Sequence, residues 1–393
     1  MSTPSIAIIG AGVAGLTLAS VLRVHGIRST IFELDSSVRS RDQGGMLDLH
    51  SISGQAALRE AGLYSKFQQY VRHDAQEMRA MDKHGAIYIH IKSEDNTDER
   101  PEIDRGDLRQ LLVDAVDKDA IKWGTRVHEI KPSNEDANKY TVVYNGGHEA
   151  TFDLVVGADG AWSRVRPLLS SEKPEYSSIC FVELRISDAE NRYPELFETV
   201  GRGSGFIVSD GLMLAVQSNA DKTVRIYAVI PIEESKFSES NAILAKPEEA
   251  RRYILDHFAD WDDKIKEIIL RSDDKFISRP IYELPVGIEW KSTPGLTLIG
   301  DAAHLMSPCA GEGANMAMWD GKELGLAIAG AVKSGEPLSE AVANFEQSMY
   351  KMSRPMAERS MSNRKMITSK MPSAELAAIW REQFIQDSLP REK

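Results

Sequence analysis

The spacing of apolar positions changes character twice along the chain. Residues 5–9 (SIAII) form a short apolar run that stops at Gly10. Such a run predicts a strand buried on both faces of a parallel sheet. Val13, Leu16, Leu18, Val21 and Leu22 then recur at helix-compatible spacing over 13–25. STIFELD (29–35) predicts a second strand, and 36–45 a polar loop. Helix is expected over 51–67, followed by a hairpin over 77–91 that turns at Lys83-His84-Gly85. A charged surface loop at 92–101 leads to a helix over 106–118. A strand pair around 125–131 and 140–144, with a turn at Asn145-Gly146-Gly147, precedes another buried strand in DLVVGADG (153–160). From 176 to 232 the helical spacing disappears. ICFVELRIS, GFIVS, LMLAVQS and TVRIYAVI follow one another as strands, which predicts a second sheet. Helical spacing returns over 247–270. GLTLIGDAAH (295–304) resumes the strand-then-helix style, and helices are expected over 312–333, 337–366 and 374–386.

Strand–helix units at both ends, with a strand-rich insertion between them, predict an α/β fold. Its dinucleotide-type domain is discontinuous and takes 1–75, 98–175 and 280–335. The inserted sheet takes 76–97 and 176–279, and C-terminal helices take 336–393, where Trp380 and Phe384 are candidates for packing across domains or against a partner chain. A chain of 393 residues has room for two ordinary domains, and 42% hydrophobic content supports a sizeable core. The net charge of -12 points away from nucleic acid and from anionic membrane surfaces, which need a basic surplus. Cys180 and Cys309 make neither a disulfide framework nor a metal cluster, so a cytoplasmic, reducing location is expected. MSTPSIAIIG lacks the basic and apolar regions of a secretory leader. LGLAIAGAV (324–332) is far short of the roughly 20 residues that span a bilayer.

Gly10-Ala11-Gly12-Val13-Ala14-Gly15 is a G-x-G-x-x-G sequence. It follows one expected strand and opens an expected helix, and Glu33 closes the next strand. In that context the first glycine makes a tight turn, the second admits a pyrophosphate, and the third lets helix and strand pack closely. Glu33 suits ribose hydroxyls. The motif alone fits NAD or FAD. There is no second such unit, since GRGSG (201–205) lacks the strand–helix context. There is also no metal-ligand spacing and no Ser/His/Asp signature.

Two further motifs stand beside the first: GADGAWSRVR (157–166) and GDAAHLMSPCAGEGAN (300–315). In this order the three resemble the flavoprotein monooxygenases of the para-hydroxybenzoate hydroxylase type, over nearly the whole chain. GGMLDLHSISGQAALREAGL (44–63) and PEIDRGDLRQLL (101–112) are similar to the tetracycline-inactivating branch. The resemblance implies a Rossmann-like FAD-binding domain of the GR2 flavoprotein type. It implies FAD as cofactor, NADPH or NADH as transient reductant, O2 as co-substrate, and hydroxylation through a flavin C4a-hydroperoxide. The flavin then carries the chemistry, and no catalytic side chain is expected. By the same resemblance, Asp301 contacts the ribityl chain or diphosphate. Pro308, Gly311, Gly313, Ala314 and Asn315 pass close to the isoalloxazine. Arg105, and less closely Arg109, approach the flavin. Asp48 contacts it, and Arg41 lies near the flavin and nicotinamide approach. Asp159 belongs to a motif linked to FAD and NAD(P)H, with Arg164 and Arg166 following it. His304 reads as a hydrogen-bonded structural residue.

Alternation over 181–187 puts Phe181, Glu183, Arg185 and Ser187 on one face and Val182, Leu184 and Ile186 on the other. Arg225 and Tyr227 alternate likewise against Val224, Ile226 and Ala228. The substrate candidates are therefore Glu183, Arg185, Arg225 and Tyr227, with Phe206 and Gln217, and with Met213 and Met316 as weaker ones. A solvated sheet face explains the same alternation. Glu183 and Arg225 stand where the tetracycline-inactivating enzymes have Gln and His, which points away from tetracycline itself. The expected substrate is an electron-rich aromatic, phenolic or polyketide-like small molecule, with tetracycline-type compounds within that class, and a monomer is expected. Competing readings are a flavin-dependent reductase or oxidase without oxygen insertion, a flavin-binding sensor, and a plain NAD dehydrogenase.

Overall fold

In the computed structural model, which describes residues 3–92 and 100–388, the run Ile6–Ile9 is the middle strand of a five-stranded parallel sheet. Leu154–Gly157 and then Leu296–Leu298 lie on one side of it. Ser29–Phe32 and Ile121–Lys122 lie on the other. All four residues of Ile6–Ile9 are buried, as an apolar run without alternation requires. The helix Val13–Val24 follows directly and packs against the helix Gly313–Ser334. That packing is close because Gly321 and Gly325 face it. A Cβ on Gly321 would stand 2.7 Å from Ala14 O, and one on Gly325 would stand 2.6 Å from Val21 Cγ1. These elements, a three-stranded antiparallel sheet (Val127–Pro132, Tyr140–Tyr144, His148–Phe152) and most of the helix Leu338–Ile367 belong to one compact unit. It comprises Met1–Tyr70, Arg105–Glu175 and Tyr282–Met361.

The second unit comprises Val71–Asp104, Tyr176–Ile281 and Ser362–Lys393. Its sheet has seven strands in the order Ile277–Glu283, Glu175–Ile186, Val224–Pro231, Leu212–Ser218, Ser204–Ser209, Met78–Met81 and Ile87–Ile91. One face carries Val182, Leu184, Ile186, Ile226, Ala228, Val216, Leu214 and Ile207. These are buried with Ala250, Ile254, Ile265, Ile268 and Ile269 from the helices Pro247–His257 and Asp263–Leu270. The helix Ser373–Ser388 stays within this unit, where Trp380 meets Phe206 edge-on at 5.9 Å between ring centroids.

Several local expectations change. The helix expected over 247–270 is broken, and the second part starts anew where the Asp262 side chain caps it by accepting from Lys264 N–H. The helix expected over 51–67 is two short ones, Gly54–Glu60 and Tyr64–Phe67, separated where Leu63 N–H bonds to Leu58 O. The helix Phe237–Leu244 and the strand Ile277–Glu283 were not foreseen. Pro280 argues against a strand, yet Ile277–Glu283 is at the edge of the sheet, where proline is tolerated. Most of the charged loop expected at 92–101 falls on 93–99, outside the described residues, as does the side chain of Phe384.

Candidate active site

The three glycines of the first motif differ in what surrounds them. Gly10 has φ +106°, and a Cβ there would lie 2.4 Å from Ala158 O. A Cβ on Gly15 would lie 2.3 Å from Gly10 O. Both positions are closed by the protein itself. Gly12, between them, has ordinary extended backbone (φ -79°, ψ -179°), and a Cβ there would meet no atom within 4 Å. The same is true of Gly313, the first residue of the helix Gly313–Ser334. Both glycines thus border open space at a helix N-terminus, where anionic groups are favoured.

Glu33 lies beneath the loop. Its carboxylate accepts from Ala11 N–H at 2.5 Å and from Asp35 N–H at 2.8 Å. Arg109 is 3% exposed and sits in the same cluster. It donates to Ala11 O at 3.2 Å and to Asp35 Oδ2 at 2.9 Å. Arg41, largely exposed, also pairs with Asp35 Oδ2 at 2.9 Å. Arg41 and Arg109, which the resemblance associates with the flavin, both meet Asp35 just after the second strand, and Arg109 also bonds the Gly10–Gly15 loop.

Asp301 keeps exposed surface, yet protein atoms crowd around it. Desolvation pushes its carboxyl above the usual carboxylate range, against the pull of His304 and Arg105. Arg105 N–H donates to Gly45 O at 3.1 Å, so the 44–48 segment, Arg105 and Asp301 share one neighbourhood. Asp48 Oδ2 is 3.0 Å from His50 Nε2, and His50 Nδ1 is 3.5 Å from Glu312 Oε2. Asp48 Oδ1 would be 3.8 Å from a Cβ on Gly311. Pro308 and Gly311 are exposed, and Ala314 is half-buried.

Asn315 is buried and fully engaged. Its Oδ1 accepts from His50 N–H (2.9 Å), Ser53 Oγ (3.1 Å) and Gly54 N–H (3.3 Å), and its Nδ2 donates to Asp48 O (2.9 Å). It ties the 48–54 loop to the long helix. Asn315→Ala is expected to cost about 2–3 kcal/mol, because several buried backbone groups lose their partner together. Urea unfolding of the FAD-free protein reads this as a lower midpoint at unchanged slope.

Asp159 accepts from Arg164 N–H at 2.7 Å, while its Oδ1 is buried without a hydrogen-bond partner. Burial pushes this carboxyl up despite the Ser163 hydroxyl and the Arg166 charge. Arg166 is turned inward and donates to Ala302 O at 3.0 Å and to Ala161 O. It therefore braces the turn after Gly300 and does not reach outward, whereas Arg164 is exposed.

In the second unit, strand register sets the substrate candidates in two adjacent rows. Glu183, Tyr227, Ala215 and Phe206 form one row, and Arg185, Arg225, Gln217 and Ser204 the next. Rows two residues apart share a face, so all six candidates lie on the face opposite the apolar core. Met213 follows the same parity and is buried, and Met316 is buried on the long helix of the first unit. Glu183 is 1% exposed. Its Oε1 accepts from Arg225 at 2.6 Å and Arg185 at 3.0 Å, and its Oε2 from Arg279 at 2.6 Å. Burial alone would raise this carboxyl, but the Arg279, Arg185 and Arg225 guanidiniums outweigh it and hold it below the usual range. Arg279 was missed from sequence because its strand was; the alternation in ISRPIYE was the available signal. Among the described residues no group of three or more His, Cys, Asp or Glu side chains is placed to hold a metal ion, and no helix is long and apolar enough to cross a membrane.

The FAD binding domain family matches residues 3–359. The chain belongs to that family, and it is an FAD-dependent monooxygenase. It is 32% identical to the monooxygenase penA of Penicillium thymicola, over 91% of this chain and 92% of that protein. Its fold matches that of Klebsiella pneumoniae HpxO complexed with FAD and uric acid, with a TM-score of 0.78 at 18% identity, covering 98% of this chain and 93% of that one. The tetracycline destructase Tet(51) shares the fold at a TM-score of 0.68 and 20% identity, with 100% of each chain covered. The cradle fits FAD on its own geometry: open space at Gly12 and Gly313, and an exposed carboxylate at Asp301.

Proposed function

We infer that this monooxygenase uses NADPH or NADH and O2 to hydroxylate an electron-rich aromatic, phenolic or polyketide-like small molecule. The contrast among Gly10, Gly12 and Gly15 carries the cofactor half of this reading, because only the middle glycine borders space that the protein leaves open. Gly12 and the N-terminus of Val13–Val24 receive the diphosphate, and Glu33 the ribose. Asp301 and Arg105 hold the ribityl end. The segment Pro308–Asn315, braced by Asn315 on the 48–54 loop, lies against the ring. The N-terminus of Gly313–Ser334 favours negative charge there. The chemistry FAD supplies when bound is hydride acceptance and activation of O2 for insertion of one oxygen atom.

The polar face of the seven-stranded sheet supports the substrate half. Arg279 and Tyr227 offer donors beside the aromatic Phe206, a combination suited to a planar molecule bearing phenolate, enolate or carbonyl oxygens. Uric acid, bound by HpxO, is an electron-rich heteroaromatic of that kind. Glu183 and Arg225 in place of Gln and His disfavour tetracycline within the class.

Anaerobic titration of the FAD-loaded protein tests the reductant. NADPH or NADH is expected to bleach the yellow flavin absorbance, faster with substrate present. A flavin that neither nucleotide reduces would remove the NAD(P)H-dependent reading.

A further inference from the structure

Two buried ionisable side chains have no part in the reading above. His304 is 6% exposed and Asp320 is 0% exposed. Asp320 Oδ2 accepts from two donors at once: His304 Nε2 at 2.6 Å and the Gly300 backbone N–H at 2.7 Å. His304 N–H in turn donates to Gly300 O at 3.0 Å. Gly300, His304 and Asp320 thus close a ring of hydrogen bonds around the residue that immediately precedes Asp301. Gly300 has φ +61°, and a Cβ there would crowd Ala14 at 3.1 Å, so the turn requires glycine at this position.

The charges around the imidazole are few and can be named. Asp320 faces it from the long helix, and Asp301 from its own short helix Asp301–His304. Arg354, on the helix Leu338–Ile367, lines the small cavity beside it. Arg105 acts on Asp301 from the helix Arg105–Val113, and Arg166 is bonded to Ala302 O nearby. Burial alone would lower the His304 pKa, but the Asp320 charge and hydrogen bond outweigh it and raise it. Asp320 thus favours the protonated imidazole, and the charge this places on His304 comes first among those drawing Asp301 toward ionisation.

We propose that Asp320 and His304 are a positioning pair for FAD: they fix the Gly300 turn that presents Asp301 and set a positive charge behind its carboxylate. This rests on the reading that Asp301 meets FAD. Neither side chain touches the cofactor in that reading; both act through Asp301.

The test is the FAD dissociation constant, followed by flavin-fluorescence quenching between about pH 5 and about pH 9, with melting of the FAD-free protein alongside. Asp320→Asn keeps an oxygen for the Gly300 N–H and removes the charge. His304→Gln keeps a donor and removes the imidazolium. Both are expected to weaken FAD about tenfold at neutral pH. His304→Gln should also move the acidic loss of affinity to higher pH by about one unit, because Asp301 loses that positive charge and protonates more readily. Asp320→Asn should move it the same way but less, since the imidazole loses the partner that favours its charge while a carboxylate opposing Asp301 ionisation is removed as well. In an Asp301→Asn background neither change should alter the pH profile. If affinity falls equally at all pH values while the melting temperature drops, the pair is only structural and the proposal is overturned. If one variant does not fold, the other carries the same comparison. If Asp301→Asn alone binds FAD like the parent, the cradle assignment itself fails, and the proposal with it.

Discussion

Gly12→Val is expected to give a folded protein that no longer holds FAD. The backbone at Gly12 is in an extended conformation any residue adopts, and an added Cβ meets no protein atom within 4 Å. The side chain would instead fill the space assigned to the diphosphate. Melting of the FAD-free variant should match the parent, while FAD affinity falls at least about 100-fold, or ~2.7 kcal/mol. Gly10→Val makes the contrast. Its side chain would be driven into Ala158 O at 2.4 Å, on backbone with φ +106°, so that variant should lose stability whether or not FAD is present. Equal behaviour of the two variants would show that Gly12 borders nothing of importance.

Glu183→Ala should cause the largest loss of stability in the second unit, about 3–5 kcal/mol, because it strands buried positive charge. Arg185 and Arg225 are directly opposed across neighbouring strands, an unfavourable arrangement that the shared carboxylate relieves. The pH dependence follows from the same contacts. The unfolded chain's glutamate titrates near 4.5, and the native carboxyl lies below that. Its contribution to stability is therefore complete above the ordinary value and is lost as pH falls through the native one. Acid unfolding monitored by circular dichroism should be less steep in Glu183→Gln. An unchanged acid profile would mean that the guanidiniums are neutralised without Glu183.

What was legible in the sequence had a short period. The apolar run before Gly10, the spacing of the three glycines and the two-residue alternation around Glu183 and Arg225 are local patterns, and backbone geometry enforces them directly. What was not legible depended on contacts between distant segments. Asp320 and His304 are joined through a helix packed on a turn, and no periodicity marks them. Arg109 was read for its place beside Arg105 in the 101–112 segment, whereas its bonds to Ala11 O and Asp35 join segments far apart in sequence. Arg279 was hidden by Pro280, whose missing N–H an edge strand tolerates. The break near 258–262 was hidden because apolar spacing continues through Phe258 and Trp261, which pack edge-on at 4.7 Å in the core while the chain turns.

Isotope incorporation reads oxygen insertion by this enzyme directly. The FAD-loaded protein would be supplied with NADPH or NADH, labelled O2 and a panel of phenols, enolic polyketide-like compounds and tetracycline. Mass spectrometry would read the products, and a peroxide assay the by-products. One labelled oxygen atom is expected in the product of at least one electron-rich aromatic or enolic compound, formed in step with nucleotide oxidation. Nucleotide oxidation that yields only peroxide, with no label in any compound of the panel, would contradict oxygen insertion and leave a flavin-dependent oxidase or reductase.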